Sequence, residues 1–124
     1  MAVRTPTIEY NLNGNPNVAR VTWTGLLNGD TGGPVAMPEF PDRTVHVTGT
    51  FGVGGSVTIE GSNDLETESP TYTAITDPQA NAITKTAAAI EAVLEAPYLI
   101  RPNVTAGDGS TSLTVKMLCR RPRA

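Results

Sequence analysis

The side chains able to do chemistry in this chain are few and scattered. It holds one histidine, one cysteine and one tryptophan, which excludes most zinc clusters, paired-cysteine redox motifs and haem motifs. His46 stands among Thr44, Thr48 and Thr50 on the polar face of a strand, with no serine or cysteine nucleophile in an elbow nearby. It reads as a surface histidine rather than a general base. The run Gly52-Val53-Gly54-Gly55-Ser56 has the glycines of a phosphate cradle, but not the lysine and following helix that meet phosphate and metal together. Glu60, Asp64, Glu66 and Glu68 could offer oxygens to calcium, yet their spacing fits no cage of roughly six to eight ligands. Asn28 to Gly33 invites the same idea and fails in the same way. Asn103-Val104-Thr105 satisfies the glycosylation triplet, but no secretory segment leads the sequence, so it is read as strand. The expectation is no catalytic set, no metal and no cofactor, and a protein that is not an enzyme.

Charge is uneven. Residues 1 to 108 hold five basic and all twelve acidic side chains, net −7, whereas Lys116, Arg120, Arg121 and Arg123 make the end net +4, which sums to the −3 of the whole. Four cations beside an acidic body, without aromatic stacking platforms, are a poor nucleic-acid footprint and fit an acidic protein surface better. No apolar run approaches the roughly 18 residues of a membrane span. The lone Cys119 cannot form an internal disulfide, in keeping with folding in a reducing cytoplasm.

The elements that must position these side chains are short strands. The 124 residues fit one core, and 18 Thr, 11 Val and 22 Gly plus Pro against 8 Leu favour strands and tight turns over helices. Residues 1–17, rich in Asn and poor in large apolar groups, read as a flexible N-terminal arm, residues 18–120 as the folded domain, and residues 121–124 as a basic tail. In Val18 to Thr24, the side chains of Ala19, Val21 and Trp23 alternate with polar ones, so Trp23 points inward. Gly25 to Asp42 reads as a long loop with the apolar anchors Leu26, Leu27, Met37 and Phe40. Val45, Val47 and Phe51 alternate up to the glycine run, and Val57 and Ile59 alternate after it, which reads as a hairpin. Ile83 to Glu95 fits both helical and strand spacing, so one short helix is allowed there. Pro102 interrupts the strand Tyr98 to Thr105 and so belongs at an edge or a bulge. The turn Ala106 to Ser110 leads back into Leu113, Val115, Met117 and Cys119 on one face. The fold class is all-β: an antiparallel, jelly-roll-like sandwich, with Trp23, Val45, Val47, Phe51, Val57, Ile59, Ile75, Leu113, Val115 and Met117 buried.

Val57-Thr58-Ile59-Glu60-Gly61-Ser62-Asn63-Asp64, Tyr72 to Ile83, Ile90-Glu91, and Tyr98 to Gly109, together with Trp23-Thr24-Gly25-Leu26 and Gly29-Asp30-Thr31-Gly32, resemble a group of small virion proteins of tailed bacteriophages. That resemblance covers most of residues 18–120. It implies a β-sandwich that decorates or cements the capsid, partnered by the major capsid protein, located on the virion and assembled in the host cytoplasm. Gly61-Ser62-Asn63-Asp64 and Tyr98-Leu99-Ile100-Arg101 also resemble discoidin-type jelly rolls. There Tyr72 replaces the more usual Trp and Leu65 to Pro70 lengthens the loop, so the fold alone is carried over. An adhesive or carbohydrate-binding module of a phage tail or head fibre is the alternative function. For the capsid reading, Leu26, Leu27, Met37 and Phe40 are expected to pack on a symmetry mate in a homotrimer. Arg120, Arg121 and Arg123 or the arm would reach the capsid, and the arm would be dispensable for folding.

Overall fold

The computed structural model describes residues 1–122. Its strands are β1 (Val3–Arg4), β2 (Thr7–Glu9), β3 (Val18–Leu26), β4 (Thr31–Gly32), β5 (Val35–Ala36), β6 (Asp42–Thr50), β7 (Ser56–Ser62), β8 (Thr73–Ala74), β9 (Thr84–Lys85), β10 (Ala89–Ala92), β11 (Leu99–Ala106) and β12 (Ser112–Arg120). They form a β-sandwich. One sheet of five strands runs β10-β6-β12-β3-β2, and the other, of seven, runs β1-β4-β11-β7-β8 with β5 beside β11 and β9 beside β7. All pairings are antiparallel except β1 with β4. No α-helix occurs among the described residues. The ambiguous stretch 83–95 holds the two short strands β9 and β10 joined by a bend rather than a helix, and Glu66–Glu68 forms a single 3-10 turn.

Alternation builds the core as the sequence predicts. Across the five-stranded sheet, Trp23, Val115 and Val47 form one rung and Val21, Met117 and Val45 the next, all at most 2 % exposed. Val57, Ile59, Ile100 and Val104 face them from the other sheet. Every expected core residue is buried except Phe51, which packs partly covered at the margin. The Trp23 indole N–H donates to the Gly33 carbonyl at 2.9 Å, so this large apolar group enters the core with its polar atom satisfied.

Neither expected hairpin forms. β6 and β7 lie in different sheets, as do β11 and β12. The ribbon β6/β12 of one sheet continues as the ribbon β7/β11 of the other, and the two glycine-rich turns are crossovers that run side by side. A local alternation pattern cannot tell a strand that returns beside its predecessor from one that folds over it, because both bury the same face. The crossovers are latched together. Asp108 accepts from Val53 N–H at 2.9 Å, and Thr111 Oγ1 donates to the Phe51 carbonyl at 2.7 Å. Gly52, at φ +71°, presses against the Asp108 carboxylate where a Cβ would collide.

Pro102 also departs from expectation. It sits in the middle of a sheet, opposite Ile59 of β7. Ile59 turns its own N–H and carbonyl toward Ile83 and Ile75, so Pro102 and Ile59 are a non-hydrogen-bonded pair. The missing donor therefore faces the other flank of β11. On that flank Leu99 and Ile100 pair with β5 and Asn103 pairs with β4, and Gly32 of β4 lies against the proline ring where a Cβ would collide.

The first seventeen residues are not a free arm. β1 joins the seven-stranded sheet and β2 the five-stranded one, so the segment straps both layers. An Asn13-Gly14 turn, at φ +51° and +80°, closes with Asn15 N–H donating to the Leu12 carbonyl at 3.0 Å and leads the chain into β3. Asn at these positions reads as solubility in a composition argument and as a turn in a geometric one.

Candidate functional site

The expected contact residues split between the two ends of the sandwich, Leu26 and Leu27 beside the start of β12 and Arg120 at its far end, and most of them are not available for contact. Leu26, Met37 and Phe40 are 0 %, 1 % and 3 % exposed, covered by the protein's own chain. They are core residues, and the expectation that they pack on a symmetry mate is corrected. Leu27 is exposed, as are Arg120 and Arg121. Arg123 lies outside the described residues.

The stretch Gly25 to Asp42, expected as one long loop, instead carries β4 and β5, and two buried charges help to hold it. Arg43 takes the inward-facing position two residues before Val45, in a rung with the small side chains of Ala19 and Cys119. Its guanidinium donates to the carbonyls of Met37 at 2.8 Å, Phe40 at 3.0 Å and Pro97 at 3.4 Å. Burial lowers its pKa, though a guanidinium stays protonated. Asp30, 2 % exposed, accepts from Ala2 N–H at 2.9 Å, from Leu27 N–H at 2.9 Å and from Arg4 Nε at 2.7 Å. Burial pushes its pKa up, but the Leu27 N–H, the Arg4 guanidinium and the Ala2 N–H together outweigh that and hold it below the ordinary value. The parity of Arg43 with Val45 and Val47 was readable beforehand. Asp30, in a loop, had no such signal.

Beside Arg43 lies the exposed basic corner. Arg121 lays its guanidinium over the Phe40 ring, 4.5 Å from the centroid, while Tyr10 packs tilted on the same ring at 6.3 Å. Arg121 N–H donates to Asn17 O at 3.0 Å and Arg121 Nε to Pro16 O at 3.4 Å. Arg120 pairs through Nε with Asp42 at 3.3 Å. Asn15, Asn17, Val18, Asp42, Arg120 and Arg121 enclose a cavity of about 230 Å³. Arg121, the first residue of the expected basic tail, is thus held against the body.

A larger cleft, of about 440 Å³, opens at the end of β7 and β8. Gly61, Ile75 and Pro97 floor it, and Ser62, Asn63, Thr71, Thr73 and Glu95 bring polar groups to it. Glu95 is fixed by the N–H and hydroxyl of Thr76, which lower its pKa. On the outer face of the same sheet, Arg101 stacks on Tyr72 at 3.6 Å and pairs with Glu60 at 3.1 Å. Glu60 also accepts from Asn103 Nδ2.

Catalytic geometry does not assemble around the remaining candidates. His46 is exposed on the outer face of the five-stranded sheet, opposite Ile90 and Lys116. Cys119 is buried, and burial pushes its thiol up to about 11, the opposite of an activated thiolate. Among the described residues no group of three His, Cys, Asp or Glu side chains could hold a metal ion. Asp64 spends its carboxylate on the Thr71 N–H and on the Ser62 hydroxyl. No helix among the described residues is long and apolar enough to cross a membrane.

No family model matches the chain, and no curated protein matches it in sequence. Solved structures do match in fold. The chain is similar to the SPBc2 prophage-derived protein YomS, with a TM-score of 0.60 and 14% identity over 82% of this chain and 93% of that one. It is less similar to the BH2720 protein of Bacillus halodurans, with a TM-score of 0.47 and 8% identity over 87% of this chain and 65% of that one. An 11S allergen of Cocos nucifera gives 0.46 and 6% identity over 95% of this chain and 28% of that one. The sandwich is therefore a fold that a prophage-derived protein of nearly the same extent also adopts.

Proposed function

We propose that the protein is a structural component of a bacteriophage virion, a capsid decoration (cement) protein that binds the major capsid protein, stabilises the head and does no catalysis. The observation that carries this reading is the fold shared with a prophage-derived protein over nearly the whole of both chains. The residues fit the role. The sandwich is tied at its crossovers and at its N-terminal strap, and the outer face of the five-stranded sheet carries Thr22, Thr44, Thr48 and Thr114 beside Arg20, His46 and Lys116. Such a face suits a wet, hydrogen-bonded docking contact. A homotrimer at a symmetry axis would multiply one weak contact. Leu27, Arg120 and Arg121 are the candidate contacts that the fold leaves accessible.

The test is co-sedimentation of tagged protein with capsids of the parent phage, followed by electron cryo-microscopy of the decorated particle. Density for the sandwich on the capsid surface in symmetric copies is the expected result, and protein that stays in the supernatant overturns the reading. Light scattering that finds only monomer at high concentration removes the trimer. A second reading, an adhesive module on a tail or head fibre, is favoured by the 440 Å³ cleft, whose polar rim of Ser62, Asn63, Thr71 and Thr73 also carries Glu95. Glycan-array binding abolished by Asn63→Ala would favour it over the first.

A further inference from the structure

We infer that the notch between the C-terminal end of β12 and the turn before β3 is an acid-accepting site, built to take the carboxylates of an acidic protein segment. Two guanidiniums and one carboxylate meet there, those of Arg120, Arg121 and Asp42, so the notch is cationic in a chain whose net charge is −3. Each arginine is already oriented, and by atoms other than its outer nitrogens. Arg120 holds Nε 3.3 Å from the Asp42 carboxylate in an exposed ion pair. Arg121 spends Nε on Pro16 O, its backbone N–H on Asn17 O, and one flank of its guanidinium on the Phe40 ring. Among the described residues, the Nη groups of both arginines meet no acceptor. Asn15 uses its side-chain oxygen for the Asn17 N–H, which leaves its NH2 as a further donor at the wall. Planar forks held in place lose little freedom on binding a carboxylate, which is the geometry guanidinium matches best.

The charge around the notch selects the ligand. A nucleic acid presents a continuous row of phosphates and needs a basic track, whereas residues 1–108 are net −7 and Asp42 stands in the wall itself. One or two carboxylates on a short segment meet the two arginines without lying along that acidic surface. The cavity, about 230 Å³, has room for side-chain termini and not for a folded partner. That the segment belongs to a capsid protein rests on the proposed function; that the notch accepts acid does not.

Full-length 15N-labelled protein titrated with hexaglutamate at low ionic strength tests this, with hexaglutamine, a six-nucleotide thymidine oligomer and inorganic phosphate as parallel arms. Hexaglutamate is expected to move the Nε–Hε signals of Arg120 and Arg121 and the side-chain amide of Asn15, while hexaglutamine leaves them in place. Losing one charged hydrogen-bonding partner should weaken binding about tenfold in Arg121→Gln and in Arg120→Gln. Asp42→Asn, which removes the competing carboxylate, should tighten it. Binding should fall as salt approaches about 1 M, where screening reaches about 3 Å. Signals that do not move, movement confined to another face, undiminished binding by Arg121→Gln, or stronger binding of the oligonucleotide would each overturn the inference. Phosphate binding that matches hexaglutamate would overturn the carboxylate preference and leave a general oxyanion notch. If hexaglutamate binds as described but the protein does not sediment with capsids, the notch stands and the capsid reading falls.

Discussion

Arg4→Ala separates a free arm from a structural strap. The substitution takes the guanidinium from Asp30, whose side chain is 3 % exposed, and leaves it the N–H groups of Ala2 and Leu27. Stranding a fully buried charge costs about 3–5 kcal/mol, and a charged hydrogen bond contributes about 1.5–3 kcal/mol. Because Arg4 is itself 38 % exposed, water screens part of the pair, and a loss of about 2 kcal/mol is expected. With an unfolding entropy of about 2.1 cal/mol/K per residue, that lowers the melting temperature by roughly 8 °C. The sign with pH follows from the lowered Asp30 pKa. A depressed carboxylate contributes stability that is present above its unfolded value and is lost as pH falls through its folded value. The wild type and Arg4→Ala should therefore differ fully above about pH 5 and converge as the pH drops below about 4. Calorimetric melts of both proteins from pH 7 to pH 2.5 measure this. A difference of less than about 2 °C at pH 7, or one that does not shrink in acid, would refute the account of the strap. The same contacts reverse the expectation that the arm is dispensable for folding, since deleting residues 1–15 also removes β1, β2 and the Ala2 donor.

Trp23→Ala should cost about 3–5 kcal/mol in denaturant unfolding, from lost transfer energy and a cavity between the sheets; it also strands the Gly33 carbonyl that the indole caps. Asp108 should titrate at about 2, chiefly because the Ser110 hydroxyl and the Val53 N–H hold its charged form, and Ser110→Ala should raise that value toward 3.8 when followed by carboxyl-detected NMR. The Cys119 thiol, buried and pushed up to about 11, should resist aromatic disulfide reagents at pH 8 in the folded protein and react at once in denaturant; fast labelling of the native state would show that β12 opens at its end.

Alternation by itself determined the class and most of the core. Trp23, Val45, Val47, Val57, Ile59, Leu113, Val115 and Met117 are buried because a pleated strand sends every second side chain to one face wherever the strand ends up. Period two carried back from Val45 also puts Arg43 on the inward face, a signal the sequence reading did not use. Which strands are neighbours was decided only by the tertiary structure. The turns after Thr50 and after Ala106 read as hairpins, yet both carry the chain to the opposite sheet, because burying two ribbons against each other outweighs pairing each strand with its nearest neighbour in sequence. The N-terminal segment shows the same limit. Its composition is that of a solvated arm, and nothing local reveals that Asp30, twenty-six residues beyond Arg4, requires the Arg4 charge. The basic end was legible as charge, but not as a notch. Its shape depends on Phe40, Pro16 and Asn17 arriving beside Arg121, and contacts between residues far apart in the chain leave no period in the sequence.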